Sequence, residues 1–154
     1  MKTIEGVVTK KLRVIPDDRG RLMEILRADD PFFRKFGQAY VSTTYPGVVK
    51  AWHLHRLQED HLCCIVGTVK LVVFDAREES ATYRELNEFW LGEHNPVLVV
   101  VPRLCYHGWK NVGLKESIVV DIPSEPYNYE HPDEHRLDPH DNKVIPYSWE
   151  RRDA

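Results

Sequence analysis

Three histidines hold the densest chemistry in this sequence. His53 and His55 stand one residue apart in Trp52-His53-Leu54-His55, and His107 follows far downstream in Cys105-Tyr106-His107-Gly108-Trp109. On a strand the side-chain period is two, so residues 53 and 55 share a face. An antiparallel barrel can bring a third imidazole beside them from a distant strand. An unperturbed imidazole titrates near ~6.5, so it can rest neutral and accept a proton at working pH. The plainer use of such a cluster is a set of rings satisfied by hydrogen bonds inside a barrel without chemistry.

Strand signals dominate the elements that must position these rings. Residues 7–15 form a β-branched run that ends in the turn Pro16-Asp17-Asp18-Arg19-Gly20, and residues 21–26 resume with apolar side chains. Residues 30–36 predict one short helix, with Asp30 as N-cap and Pro31 at the first helical position, closed by Gly37. Further strands are predicted over 38–44, 48–55, 61–66, 69–75, 88–91, 96–101, 107–111 and 117–122. Short strands with Gly and Pro punctuation at this spacing argue for an all-β sandwich or barrel. Unbroken apolar runs such as 97–101 argue for strands covered on both faces.

After Pro123 the composition turns to Pro, Tyr, His and charge, with little periodicity. Residues 123–154 therefore read as a C-terminal tail packing on the barrel or on a partner subunit. No repeat or linker divides the chain, so residues 1–154 form one domain of ordinary size.

The 154 residues are 42 % hydrophobic and 29 % charged, the profile of a soluble globular protein. A net charge of −3 and a pI near 6.2 give no basic field for nucleic acid. No apolar run reaches the ~18 residues of a membrane span. Cys63 and Cys64 are adjacent in a strand-like run and should face opposite ways, which suits reduced cysteines in a cytoplasmic protein.

Two segments resemble the paired motifs of the cupin superfamily. Gly47, His53, His55 and Glu59 fit the spacing of the first motif, with Gly67 one residue late; Pro102, His107 and Asn111 fit the second, with Leu104 in place of its inner glycine. The resemblance implies a jelly-roll β-barrel, the double-stranded β-helix. In metal-binding cupins the corresponding His53, His55, Glu59 and His107 would hold a divalent metal such as iron, manganese or nickel, for which nitrogen and oxygen donors are suited.

Other segments are similar to the dTDP-4-dehydrorhamnose 3,5-epimerase family, a metal-independent cupin branch. Asp17-Asp18-Arg19-Gly20-Arg21-Leu22-Met23-Glu24 resembles its opening segment, Gly47 to His53 its first histidine segment with Lys50 in place of arginine, and Pro102 to Gly108 its second. The resemblance implies an epimerase of a nucleotide-linked 4-keto-6-deoxy sugar in cell-surface polysaccharide synthesis, of the rhamnose type. It implies a cytoplasmic homodimer working without a cofactor, with His53 as base and Arg19 and Glu24 at the nucleotide. Proton abstraction next to the ketone builds an enolate, whose oxygen Lys50, His61 or His55 would support. By alignment His61 falls where the family has a lysine, and His107 would contact substrate or phosphate.

Departures from the family pattern set further expectations. The family's acid is a tyrosine on the strand matching 117–122, where this chain has Val120; Tyr127 is the nearest substitute. The carboxylate that orients the base would come from Asp75, Asp121 or an acidic tail residue. A stacking platform for thymine could draw on Trp52, Trp90, Trp109, Trp149, Tyr40, Tyr45 or Tyr147. A single-centre epimerase, a related keto-sugar isomerase and a non-catalytic sugar-binding cupin remain alternatives.

Overall fold

In the computed structural model, which describes residues 2–151 and 153, the chain is all β, and no helix occurs among these residues. β1 (Val8–Lys11) leads into a hairpin of β2 (Val14–Asp17) and β3 (Gly20–Met23). Then follow β4 (Tyr40–Thr44), β5 (Val49–Leu54), β6 (Asp60–Val66), β7 (Thr68–Asp75) and β8 (Leu86–Gly92). The barrel closes with β9 (Val97–Val101), β10 (Cys105–Asn111) and β11 (Ser117–Asp121), and the tail adds β12 (His135–Arg136). Two five-stranded antiparallel sheets face each other in a jelly roll, ordered β1-β9-β6-β11-β4 and β12-β5-β10-β7-β8.

Apolar side chains fill the space between the sheets, among them Leu62, Cys64, Leu71, Val73, Val99, Val101 and Val119. Outside the second sheet, Ile145 and Trp149 of the tail bury Trp52, Val72 and Phe74. Outside the first, Leu12, Cys63 and Leu98 lie beneath Met23, Leu26 and Phe32. Both faces of the central strands are therefore covered, which explains why β7 and β9 read as continuous apolar runs. Each such buried Val, Leu or Phe contributes about 1.5–3 kcal/mol. Cys63 and Cys64 fall in different clusters, on opposite faces of β6, and all three cysteines are buried free thiols.

The helix expected over 30–36 does not form. Asp30 does not cap a following turn of helix; its carboxylate accepts from Arg27 N at 2.9 Å and Lys10 Nζ at 2.6 Å, tying the loop back to β1. Phe32 packs on Cys63 and Leu98 and stacks on His61, so tertiary packing overrides the local signal. The run expected over 7–15 is two strands, because Leu12 turns into the third cluster and breaks the line between β1 and β2.

Candidate active site

The two sheets pack tightly through their middle strands and part toward β4 and β5, leaving a cavity of about 1590 Å³. Its wall includes Tyr40 and Ser42 of β4, Lys50, Ala51 and His53 of β5, and His107 and Trp109 of β10. The tail closes it with residues 125–131, 133, 134 and 136.

His53 and His107 are directly paired across β5 and β10, so register alone brings the distant imidazole to the first. The rings lie 6.1 Å apart. The approach of the strands needs Gly108, since a Cβ there would come within 2.3 Å of the Ala51 Cβ.

His53 shares its Nδ1 with Glu134 Oε1 at 2.8 Å, and among the described residues its Nε2 has no partner. Glu134 also accepts from Arg136 Nη2 at 2.9 Å. The β12–β5 pairing places both tail residues, with Arg136 opposite His53. Burial lowers the pKa of His53, aided by His107 and opposed by the upward pull of Glu134. Burial would raise Glu134, but His53 and Arg136 hold it below the usual carboxylate range. A neutral imidazole with Nδ1–H donated to a carboxylate leaves the Nε2 lone pair for a proton of the substrate.

His55 and His107 are differently placed. His55 gives Nδ1 to the Asp133 carbonyl and Nε2 to Asp60 Oδ2 at 3.3 Å. His107 gives Nδ1 to the Cys105 carbonyl at 3.4 Å and Nε2 to the same Asp60 oxygen at 3.1 Å. Both rings line the cavity, yet all four nitrogens are committed to the protein, so neither has one free for substrate. Asp60 lies behind them, 2 % exposed, and takes a further bond from Gln58 Nε2 at 2.7 Å. Burial would raise this carboxyl; His107 first, then His55 and Gln58, hold it down.

The expected metal set changes in the fold. Glu59 offers its backbone N to Ser124 Oγ and takes no part; the donor atoms that converge, within 4.8 Å of one another, belong to His55, Asp60 and His107. His53 is drawn away by Glu134. These three could hold a divalent ion, each imidazole having its second nitrogen on a carbonyl, as metal-bound histidines do.

Several expected residues lie elsewhere. His61 faces away from the cavity: it is fully buried, gives Nδ1 to the Ile122 carbonyl at 2.8 Å and stacks on Phe32, so it cannot reach an enolate. Asp75 is taken up by Arg77, Ser80 and Thr82, and Asp121 bonds Tyr40; the carboxylate that holds His53 is that of Glu134 instead. Arg19 sits at the tip of the β2–β3 hairpin, its side chain 89 % exposed and paired with Asp17 at 2.6 Å. Glu24 pairs with Arg27 at 2.9 Å, also outside the cavity. Tyr127 lines the cavity, as does Lys50, whose Nζ donates to Thr43 O at 2.6 Å and Ser42 Oγ at 2.9 Å.

Among the aromatics, Tyr40 and Trp109 reach the cavity, whereas Trp52, Tyr147 and Trp149 hold the tail to the barrel and Trp90 and Tyr45 are exposed. Asp133 and Arg103 of the cavity wall, and Asp60 behind it, are groups that no sequence motif singled out. Asp133 secures the tail by accepting from the backbone N of Arg56 at 2.9 Å and Leu57 at 2.7 Å.

Comparison with known proteins finds sugar epimerases and isomerases of the same fold. Over 151 residues, 97 % of this chain and 96 % of the relative, the sequence is 42 % identical to a probable low-salt glycan biosynthesis epimerase of Haloferax volcanii. It is 38 % identical over 146 residues to the spore coat polysaccharide biosynthesis protein SpsL of Bacillus subtilis, covering 95 % of this chain and 96 % of that one. The fold superimposes on a dTDP sugar isomerase from Desulfovibrio desulfuricans with a TM-score of 0.89 at 33 % identity, covering 95 % of this chain and 92 % of that one. NovW, a 4-keto-6-deoxy sugar epimerase of Streptomyces spheroides, gives a TM-score of 0.80 at 25 % identity, over 90 % of this chain and 72 % of that one. A cupin barrel with a carboxylate-bound histidine at its cavity thus meets a match of residues 1–153 to the family described as dTDP-4-dehydrorhamnose 3,5-epimerase, and the chain belongs to that family.

Proposed function

We propose that this chain epimerises a nucleotide-linked, most simply dTDP-linked, 4-keto-6-deoxy sugar by proton transfer at carbon next to the ketone, without a cofactor. The observation that carries the reading is the state of His53, with Nδ1 on Glu134 and Nε2 unengaged at the cavity wall. Nε2 removes the proton, and Glu134 stabilises the imidazolium that forms. Lys50 spends two of its three N–H donors on β4, leaving the third for the enolate oxygen, a contact worth about 3 kcal/mol when well placed. Two copies complete the site: the exposed hairpin of one carries Arg19 and Glu24 to the nucleotide of the other, in a cytoplasmic homodimer.

The test is hydrogen exchange in heavy water with dTDP-4-keto-6-deoxyglucose. Wild type should place deuterium next to the ketone and form an epimer, and His53→Asn should do neither. An unlabelled substrate with an active control enzyme alongside overturns the reading. The cluster of His55, Asp60 and His107 supports a second reading, a metal-dependent enzyme. Stoichiometric iron, manganese or nickel in the purified protein, with turnover lost on chelation, would favour it.

A further inference from the structure

Inversion at carbon requires one proton to leave from one face of the sugar and another to arrive on the opposite face. His53 rises from β5, in the second sheet; a matching acid should rise from the first. Tyr40 does so. It belongs to β4, lines the cavity, and donates its O–H to Asp121 Oδ2 at 2.6 Å. Asp121 is its direct partner across the β4–β11 pair, so the contact is fixed by register.

Asp121 itself is not a normal surface carboxylate. It is 2 % exposed, its Oδ1 has no partner, and among the described residues no Lys, Arg or His pairs with it. An isolated buried carboxylate is costly, and such a group holds its proton instead. Burial, followed by the nearby charge of Asp60, pushes Asp121 well above the usual carboxylate range. Burial pushes the Tyr40 phenol up as well, so it rests protonated.

Resting on the epimerase reading above, we propose that Tyr40 is the acid of the reaction and that Asp121 behind it restores its proton. With Asp121 protonated on Oδ2, the 2.6 Å contact reverses, and the phenol hydrogen turns to the cavity. The enolate carbon takes that hydrogen: the phenol O–H breaks, a C–H bond forms, and the O–H electron pair stays on the phenolate oxygen. The carboxyl O–H then breaks toward that oxygen, leaving neutral Tyr40 and an Asp121 carboxylate. One proton has gone from substrate to His53 and one from Asp121 to product. Exchange with water after release resets both. Tyr127 shares the cavity, but its hydroxyl has no hydrogen-bond partner among the described residues, so nothing there supplies a second proton.

The experiment compares deuterium exchange with inversion in the same heavy-water reaction. Tyr40→Phe keeps the base, so exchange should persist while epimer formation falls about 10²-fold or more. Asp121→Asn should lower the ratio of inversion to exchange in the same direction, and it serves if Tyr40→Phe does not fold. Tyr127→Phe should leave the ratio unchanged. A wild-type ratio in folded Tyr40→Phe, or in Asp121→Asn should that variant alone fold, overturns the acid pair while the base stands. Absence of both exchange and inversion in wild type instead overturns the epimerase reading, and the acid pair with it.

Discussion

Two buried aspartates, Asp75 at the end of β7 and Asp60 at the start of β6, have nearly the same exposure and opposite uses. Asp75, 0 % exposed, accepts from Arg77 Nε at 2.8 Å, Ser80 Oγ at 2.7 Å and Thr82 Oγ1 at 2.6 Å. None of these donors changes its protonation near neutral pH, so the arrangement fastens the β7–β8 connection and does nothing else. Asp60, 2 % exposed, accepts chiefly from the imidazoles of His55 and His107, which line the cavity. A carboxylate saturated by donors of its own loop is a clasp; one bound to two cavity-wall rings fixes how those rings are presented. Glu134 extends the contrast, because its partner His53 keeps one nitrogen free.

The sharpest way to break this contrast is Glu134→Gln. It should lower kcat by about 10²–10⁴-fold, the range for a disabled general base, with little change in thermal stability. Because Glu134 raises the His53 pKa, its removal should also move the acid limb of kcat/KM to lower pH; in wild type that limb should lie below ~6.5. An unmoved limb would detach Glu134 from the base.

Asp75→Asn should show the inverse pattern. Breaking one partner of a buried charged cluster costs about 3–5 kcal/mol of unfolding free energy, while kcat of the folded fraction should hold. Burial opposes ionisation of Asp75, but Arg77, Thr82 and Ser80 hold its folded pKa far below the unfolded value. Its contribution is therefore complete above the unfolded pKa of ~3.9 and is lost as pH falls toward the folded one, so denaturant curves of the two proteins should converge only in acid. Loss of kcat equal to that of an Asp60 variant would erase the distinction.

Asp60→Asn should reduce kcat by about 10-fold by altering the charge around His55 and His107 without touching the base. Arg19→Ala, at the hairpin tip, should do least: a several-fold weaker affinity for dTDP by calorimetry, with kcat unchanged. Equal affinity would remove the hairpin from the nucleotide.

The sequence showed most of the barrel strands and the three histidines, because period-two alternation and apolar runs are local. What it could not show depends on parity and on the path of the tail. Residues 59, 60 and 61 are Glu, Asp and His, and a one-residue slip decides which points inward. The turn after β5 sets that phase; Asp60 faces the rings, and His61 is turned to the opposite side of β6. Glu134 lies in a segment without periodicity, so only the pairing of β12 with β5 singles it out from the neighbouring acidic residues. Tyr40 was visible as an aromatic, but its link to Asp121 needs the alignment of two strands separated by most of the barrel.

The carboxylate of residue 134 is contributed after every strand of the two-sheet scaffold except the short β12 has been made. The His53–Glu134 contact therefore forms only when the tail docks on β5. Replacements at Ile145 or Trp149 would uncover Trp52, Val72 and Phe74, so the same arm joins the site to the packing of the second sheet.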